Sequence, residues 1–210
     1  MDGADFLETV RESNATALDR LGSEKALVAT TDAVLERERV LETAAAAEAR
    51  AATTFETWAD DEPDDRAREA FRDAAARERD HHGRVCELGD VAASDPLADP
   101  LHEYLRGLET TVERAAGGLV ARPLVASRTL LQVISFFVNE GEPGAADAFR
   151  DLRSETDEQA ETGTAVVAAV RDGPDDRARA EEAAGRTIQA AYGAYADSLE
   201  GMGIDPKPVC

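Results

Sequence analysis

An all-α bundle is the fold class predicted by this sequence. Three observations carry the prediction. The chain is built from strong helix formers, its Gly and Pro are confined to a few breaks, and a helical hairpin is repeated 78 residues after it first occurs. Ala, Leu, Arg and Glu stand high on the helix scale because they lose little side-chain freedom in a helix. No segment shows period-two alternation bounded by hairpin turns, so no strand is expected.

The first helix is predicted over Ala4 to Leu21, where Phe6, Leu7, Val10, Ala17, Leu18 and Leu21 recur at helical spacing. Gly22 ends it and Ser23 is a suitable N-cap for the next. The second helix is predicted from Glu24 to about Ala59, a long stretch free of Gly and Pro. Pro63 and its acidic neighbours open a third helix that reaches about Leu88. Gly89 to Pro100 is the clearest loop, and helix resumes from Leu101 to about Ala116. Gly117 and Gly118 suggest a break, and Pro123 a kink. The apolar run Leu130 to Val138 follows, then Gly141 and Pro143, then a helix from Gly144 to Val170. Asp172, Gly173 and Pro174 precede a last helix, Asp175 to Gly201, with Ile188, Tyr192, Tyr195 and Leu199 as its apolar stripe. The tail from Gly203 to Cys210 is expected to be irregular. The organisation predicted is an N-terminal helix (1–22), a central bundle (23–171) and a C-terminal helix with its tail (172–210).

Charge narrows the classes of partner. There are 44 acidic and 23 basic residues, a net of −21, and only Lys25 and Lys207 are lysines. Such a surface resembles that of proteins from cells that hold molar salt, where a Debye length of roughly 3 Å screens self-repulsion. With no basic stripe, neither nucleic acid nor an anionic membrane surface is an expected partner. The N-terminus lacks the basic-then-apolar order of a signal peptide, and no run of 18 apolar residues occurs, so a cytoplasmic location is expected. Cys86 and Cys210 belong to no C-x-x-C pair, so no thiolate metal site is expected; a disulfide between them is left open.

The repeat locates the candidate chemistry. Ala67-Arg-Glu-Ala-Phe-Arg-Asp73 aligns without gaps on Ala145-Ala-Asp-Ala-Phe-Arg-Asp151, with five identities in seven; Glu62 then meets Glu140, and Trp58 meets Phe136. Two such hairpins packed together make a four-helix bundle. The first copy carries Glu78-Arg-Asp-His81, whose carboxylate and imidazole lie three residues apart on one helical face. Glu48 lies 30 residues before Glu78, on the preceding helix, and faces it across the hairpin. Glu48, Glu78 and His81 are therefore the candidate metal ligands.

The stretch Ala44 to Leu88, with Glu48, Phe55, Phe71 and Glu78-x-x-His81, resembles one half of a rubrerythrin di-iron domain. Ala17 to Leu27 is similar to members of that family from salt-loving archaea. The resemblance implies a ferritin-like four-helix bundle built from two repeated hairpins, with extra N- and C-terminal helices, that binds iron and acts as an oxidoreductase. It also implies a small-molecule oxidant such as peroxide as reactant, and a homodimer.

The second copy departs from the family pattern. Adding 78 to the three ligand positions gives Ala126, Thr156 and Gln159, none a good ligand for iron. Glu155, Glu158 and Glu161 are near, but one residue turns a helical side chain by about 100°. Three readings stay open: one bound ion on Glu48, Glu78 and His81 (iron, with manganese or zinc as alternatives), a metal-free polar cluster in which His81 stands between the carboxylates, or a dinuclear site with ligands from a shifted register. The corresponding functions are a reduced metal site with residual oxidoreductase activity, or a non-catalytic helical scaffold or interaction protein. No rubredoxin-like four-cysteine domain accompanies the bundle. His82 and His102 are expected at the surface, Cys86 in the core, and Tyr192 and Tyr195 between the last helix and the bundle.

Overall fold

The computed structural model of the chain describes residues 3–89, 91 and 99–207, and all regular structure among them is helical. The order is α1 (Gly3–Ser13), α2 (Ala15–Leu21), α3 (Lys25–Thr30), α4 (Arg37–Asp61), α5 (Asp65–Glu87), α6 (Pro100–Arg106), α7 (Thr111–Arg114), a π-helical segment (Ala115–Ala121), α8 (Arg122–Asn139), α9 (Pro143–Ala169) and α10 (Asp176–Gly201). Two antiparallel hairpins, α4–α5 and α8–α9, form the body, and α5 packs on α9 to join them. The N-terminal helices and α10 cover the second hairpin and the π-helical segment.

Local chemistry explains where the helices begin. Asp64 caps α5, its carboxylate accepting the N–H groups of Arg66 and Ala67 at 2.9 Å each. Thr110 and Glu113 form a reciprocal capping box that starts α7. Glu62 is buried at the α4–α5 turn, where it accepts the Thr111 hydroxyl at 2.6 Å and ties the turn to α7. Its counterpart Glu140 is exposed, so the two turns are not equivalent.

Each hairpin is closed by aromatic rings. Phe71 of α5 stacks on Phe55 at 6.2 Å and meets Trp58 at 5.2 Å, both on α4. In the second hairpin Phe149 of α9 stacks on Phe137 at 5.5 Å. The aromatic partner on α8 is thus Phe137, one residue beyond the Phe136 that the gapless alignment pairs with Trp58; Phe136 is only half-buried. All five stacked rings of the core are almost fully buried, each contributing roughly 1.5–3 kcal/mol of transfer free energy.

Four predicted boundaries change. The first helix divides at Asn14, whose side-chain amide donates to the carbonyl of Val10. The predicted helix from Glu24 to Ala59 divides after Thr30: the Thr31 hydroxyl donates to the carbonyl of Leu27, and Asp32 and Ala33 adopt left-handed φ of 54° and 61°. No Gly or Pro announces that turn. The predicted helix from Leu101 to Ala116 divides at Gly107, ahead of the α7 cap. Conversely, Gly117, Gly118 and Pro123 break nothing. Thr111–Asn139 is one helical run, its π-helical turns carrying the two glycines, with Pro123 following directly at the start of α8. The run includes an 18-residue window of mean hydropathy 1.2, of which 61% is buried inside the bundle, as for a core helix.

The glycines are used for close approach. A Cβ at Gly118 would lie 2.5 Å from the Trp58 ring, and one at Gly163 on α9 would collide with the backbone of Leu119. Small residues at these two points let the π-helical segment sit between Trp58 and α9, and so fix the start of α8.

Candidate metal centre

Glu48 is carried by α4, and Glu78 and His81 by α5, on the faces these helices turn toward the interior. Glu48 is 4% exposed, Glu78 and His81 0%. One potential ligand atom from each lies within 4.8 Å of the others. The three sequence-predicted residues are therefore together and buried. Such burial is costly for polar groups unless they are paired or bind an ion.

One pairing is with a residue that sequence reasoning passed over. Arg122, 4% exposed at the first turn of α8, donates from Nη1 to Glu78 at 2.5 Å and from Nη2 to Glu48 at 3.2 Å. The guanidinium, not His81, bridges the two carboxylates. A signal existed: Arg122 is the one charged residue in the apolar run from Ala115 to Val125, and a cation so placed must find buried anions.

His81 uses its outer nitrogen elsewhere. Nε2 lies 2.9 Å from Oε2 of Glu155 on α9, and Glu155 also accepts from Arg84 at 2.8 Å. Glu155 is half-exposed and reaches His81 without any shift of register. Thr156 and Gln159 are the buried residues of α9, as the gapless alignment requires; Glu158 and Glu161 are exposed. The Thr156 hydroxyl donates to the carbonyl of Leu152, and neither amide atom of Gln159 has a partner among the described residues. On α8, taking Phe137 opposite Trp58 gives 137 − 58 = 79, which sends Glu48 to Ser127 instead of Ala126. Ser127 is buried and accepts from Arg153 at 3.1 Å. By either register the second ligand set is missing.

Electrostatics assign the protons. Burial raises the Glu48 carboxyl well above the usual carboxylate range, and the adjacent Glu78 raises it further, against the pull of Arg122. Burial also acts upward on Glu78, but Arg122, the hydrogen bond with Glu48 and His81 together leave it lowered. The negative charge of the pair therefore rests chiefly on Glu78, beside Arg122, and Glu48 is the carboxyl that more readily holds a proton. Burial lowers the His81 imidazole despite Glu155. Burial opposes ionisation of Glu155, yet the hydrogen bonds from Arg84 and His81 hold it below its ordinary value. An ionised Glu155 can only accept, so a neutral His81 donates its Nε2–H and directs the Nδ1 lone pair into the protein. Among the described residues that Nδ1 is buried without a partner, and so is Oε2 of Glu78.

The donor set fits one divalent ion. Glu78 Oε2 and His81 Nδ1 are unused, Glu48 joins them on losing its proton, and Glu155 supplies the carboxylate that commonly orients a metal-binding histidine. It does not fit two ions. The second hairpin offers no carboxylate ligand, and the positive charge of Arg122 already lies against Glu48 and Glu78.

The remaining candidates are settled by position. His102 is not at the surface: it is 5% exposed, with Nδ1 3.0 Å from the Thr54 hydroxyl, because Asp99 caps α6 and turns that residue inward. His82 is half-buried and not at the surface; Cys86 is half-buried and packs against the core cluster that holds Val40, Leu41 and Val85, its Sγ 3.6 Å from His82 Nε2. Cys86 is a free thiol; Cys210, and with it the disulfide left open above, lies outside the described residues. Tyr195 is buried beneath α10, and half-buried Tyr192 accepts a hydrogen bond from Arg20 of α2.

No protein-family model, no curated protein and no solved structure matches the chain.

Proposed function

We propose that this protein binds a single divalent metal ion through Glu48, Glu78 and His81, in a ferritin-like bundle whose second metal position is taken over by the guanidinium of Arg122. The observation that carries the reading is the buried cluster of Glu48, Glu78 and His81, a ligand atom of each within 4.8 Å of the others, in which Glu78 Oε2 and His81 Nδ1 have no hydrogen-bond partner among the described residues. Iron is the ion that the likeness to rubrerythrins suggests; manganese and zinc suit the same oxygen and nitrogen set. Iron or manganese bound there would supply one-electron chemistry, with a small oxidant such as peroxide as the reactant. The protein's own part is to exclude bulk water, to hold the imidazole in one tautomer through Glu155, and to balance the carboxylates with Arg122.

A second reading rests on Arg122 itself. A guanidinium bridging two carboxylates satisfies much of the charge without metal, as a helical scaffold that kept the fold and lost the chemistry would require. Titration decides between them. The chelator-treated protein, in molar salt and without oxygen, is titrated with Fe²⁺, Mn²⁺ and Zn²⁺, and bound metal is counted. One ion per chain, lost in both Glu78→Ala and His81→Ala, supports the metal site; no uptake by a folded wild-type chain supports the scaffold.

A further inference from the structure

A chamber of about 300 Å³ opens beside the centre, between α4 and α8, with Glu48 and Arg122 in its wall. Its body is apolar, lined by Leu27, Val40, Val125, Leu130 and Val133. At one end it meets Arg50, two residues beyond Glu48 on α4 and only 14% exposed at its side chain.

The charges at that end are unequally satisfied. Arg122 is committed to Glu48 and Glu78. His102 is occupied with the Thr54 hydroxyl. Asp99 accepts the backbone N–H of His102 at 3.0 Å and lies 3.7 Å from Arg50, too far for a hydrogen bond. Arg50 is thus held by its ion pair with Asp99 alone: its side chain makes no hydrogen bond among the described residues, and its Nε is buried without a partner. An arginine offers five N–H donors in a planar fork that matches a carboxylate, and a buried N–H without an acceptor is costly.

We propose that this chamber binds a small amphiphilic carboxylate, its head on Arg50 and its aliphatic body along α4 and α8. At roughly 30 Å³ for each atom of water size, the volume holds a ligand of about ten non-hydrogen atoms, and it falls at the lower limit of small-molecule pockets, about 300–1,000 Å³. An eight-carbon straight-chain acid has that size. Arg50 and the apolar wall select it whether or not an ion occupies the neighbouring centre.

The test is calorimetric titration of the chelator-treated full chain in molar salt with octanoate, 1-octanol and octylammonium, so that coordination of the head by a metal plays no part. Octanoate is expected to saturate one site at least tenfold more tightly than octanol, with octylammonium weaker than either. In Arg50→Gln the preference for octanoate over octanol falls to about onefold, and in Val133→Trp, which fills the chamber, octanol and octanoate both lose affinity. No saturable binding of octanoate overturns the proposal. So does equal binding of octanol in the wild type, or an unchanged preference in folded Arg50→Gln. If Arg50→Gln does not fold, the three-ligand comparison on the wild type decides alone.

Discussion

His81 and Glu155 meet across the α5–α9 contact, Nε2 to Oε2 at 2.9 Å, the imidazole fully buried and the carboxylate half in solvent. This bond fixes the tautomer that leaves Nδ1 free inside. Outer carboxylates of this kind typically change metal affinity 10- to 100-fold when removed. Glu155→Gln should therefore weaken Zn²⁺ or Mn²⁺ binding by about that factor with little loss of fold, since Glu155 is a partly exposed residue. A competition titration against a chromophoric chelator measures it, and unchanged affinity would show that His81 is not a ligand.

Arg122 gives the opposite signature. Replacing it by Leu leaves Glu78 buried without its cation, a change that typically costs about 3–5 kcal/mol. The chelator-treated variant should melt well below the wild type in circular dichroism. Added Mn²⁺ should recover more of the lost stability than it adds to the wild type, because an ion then replaces the missing charge. Equal metal-induced shifts in both proteins would argue that Arg122 and the ion do not share the carboxylates.

Proton linkage follows from the assigned charges. Glu48 is raised in the folded chain, so its contribution to metal-free stability is present below the unfolded value near 4.5 and is lost as pH rises through the higher folded value. His81 and His102 are lowered chiefly by burial, so their contribution is present above the unfolded value near 6.5 and is lost as pH falls below it. Glu48→Gln should remove the alkaline decline and leave the acid one. In the wild type, an ion competes with the proton that Glu48 holds more readily than an ordinary carboxyl, so affinity should rise with pH and proton release should accompany uptake. Calorimetry in two buffers of different ionisation enthalpy counts it.

The first hairpin was legible because its candidate residues obey helical spacing: Glu78 and His81 share a face, and Glu48 sits opposite on α4. What the second hairpin lacks was legible too, since Thr156 and Gln159 do face inward. Arg122 carries no ligand signature in the sequence, because a guanidinium only donates hydrogen bonds and its partners lie 44 and 74 residues away along the chain. Glu155 is not legible as a partner of His81, because a residue one step from an inward position points partly to solvent. A long carboxylate side chain can still reach a buried imidazole from there. The turn at Asp32 and Ala33 was invisible because left-handed backbone there is held by the Thr31 side chain and the packing of α3, without the Gly that normally marks it.

Gly163 tests whether packing of the second hairpin positions the centre. A Cβ there would strike the backbone of Leu119 in the π-helical segment, three residues before Arg122. A flexible neighbour that rotates aside would absorb the methyl group, but a carbonyl inside a helical run moves only with its helix. Gly163→Ala should cost about 1–3 kcal/mol, the range for overpacking a filled core, and should displace Arg122 relative to Glu48 and Glu78. Thermal melting gives the first quantity. The second appears as an altered metal affinity in a variant whose three proposed ligands are all intact. Gly144→Ala, where a Cβ meets nothing within 4 Å, is the control and should change neither. A Gly163→Ala protein with wild-type melting and affinity would show that the π-helical segment yields easily, and that Arg122 is not held by the contact between Leu119 and α9.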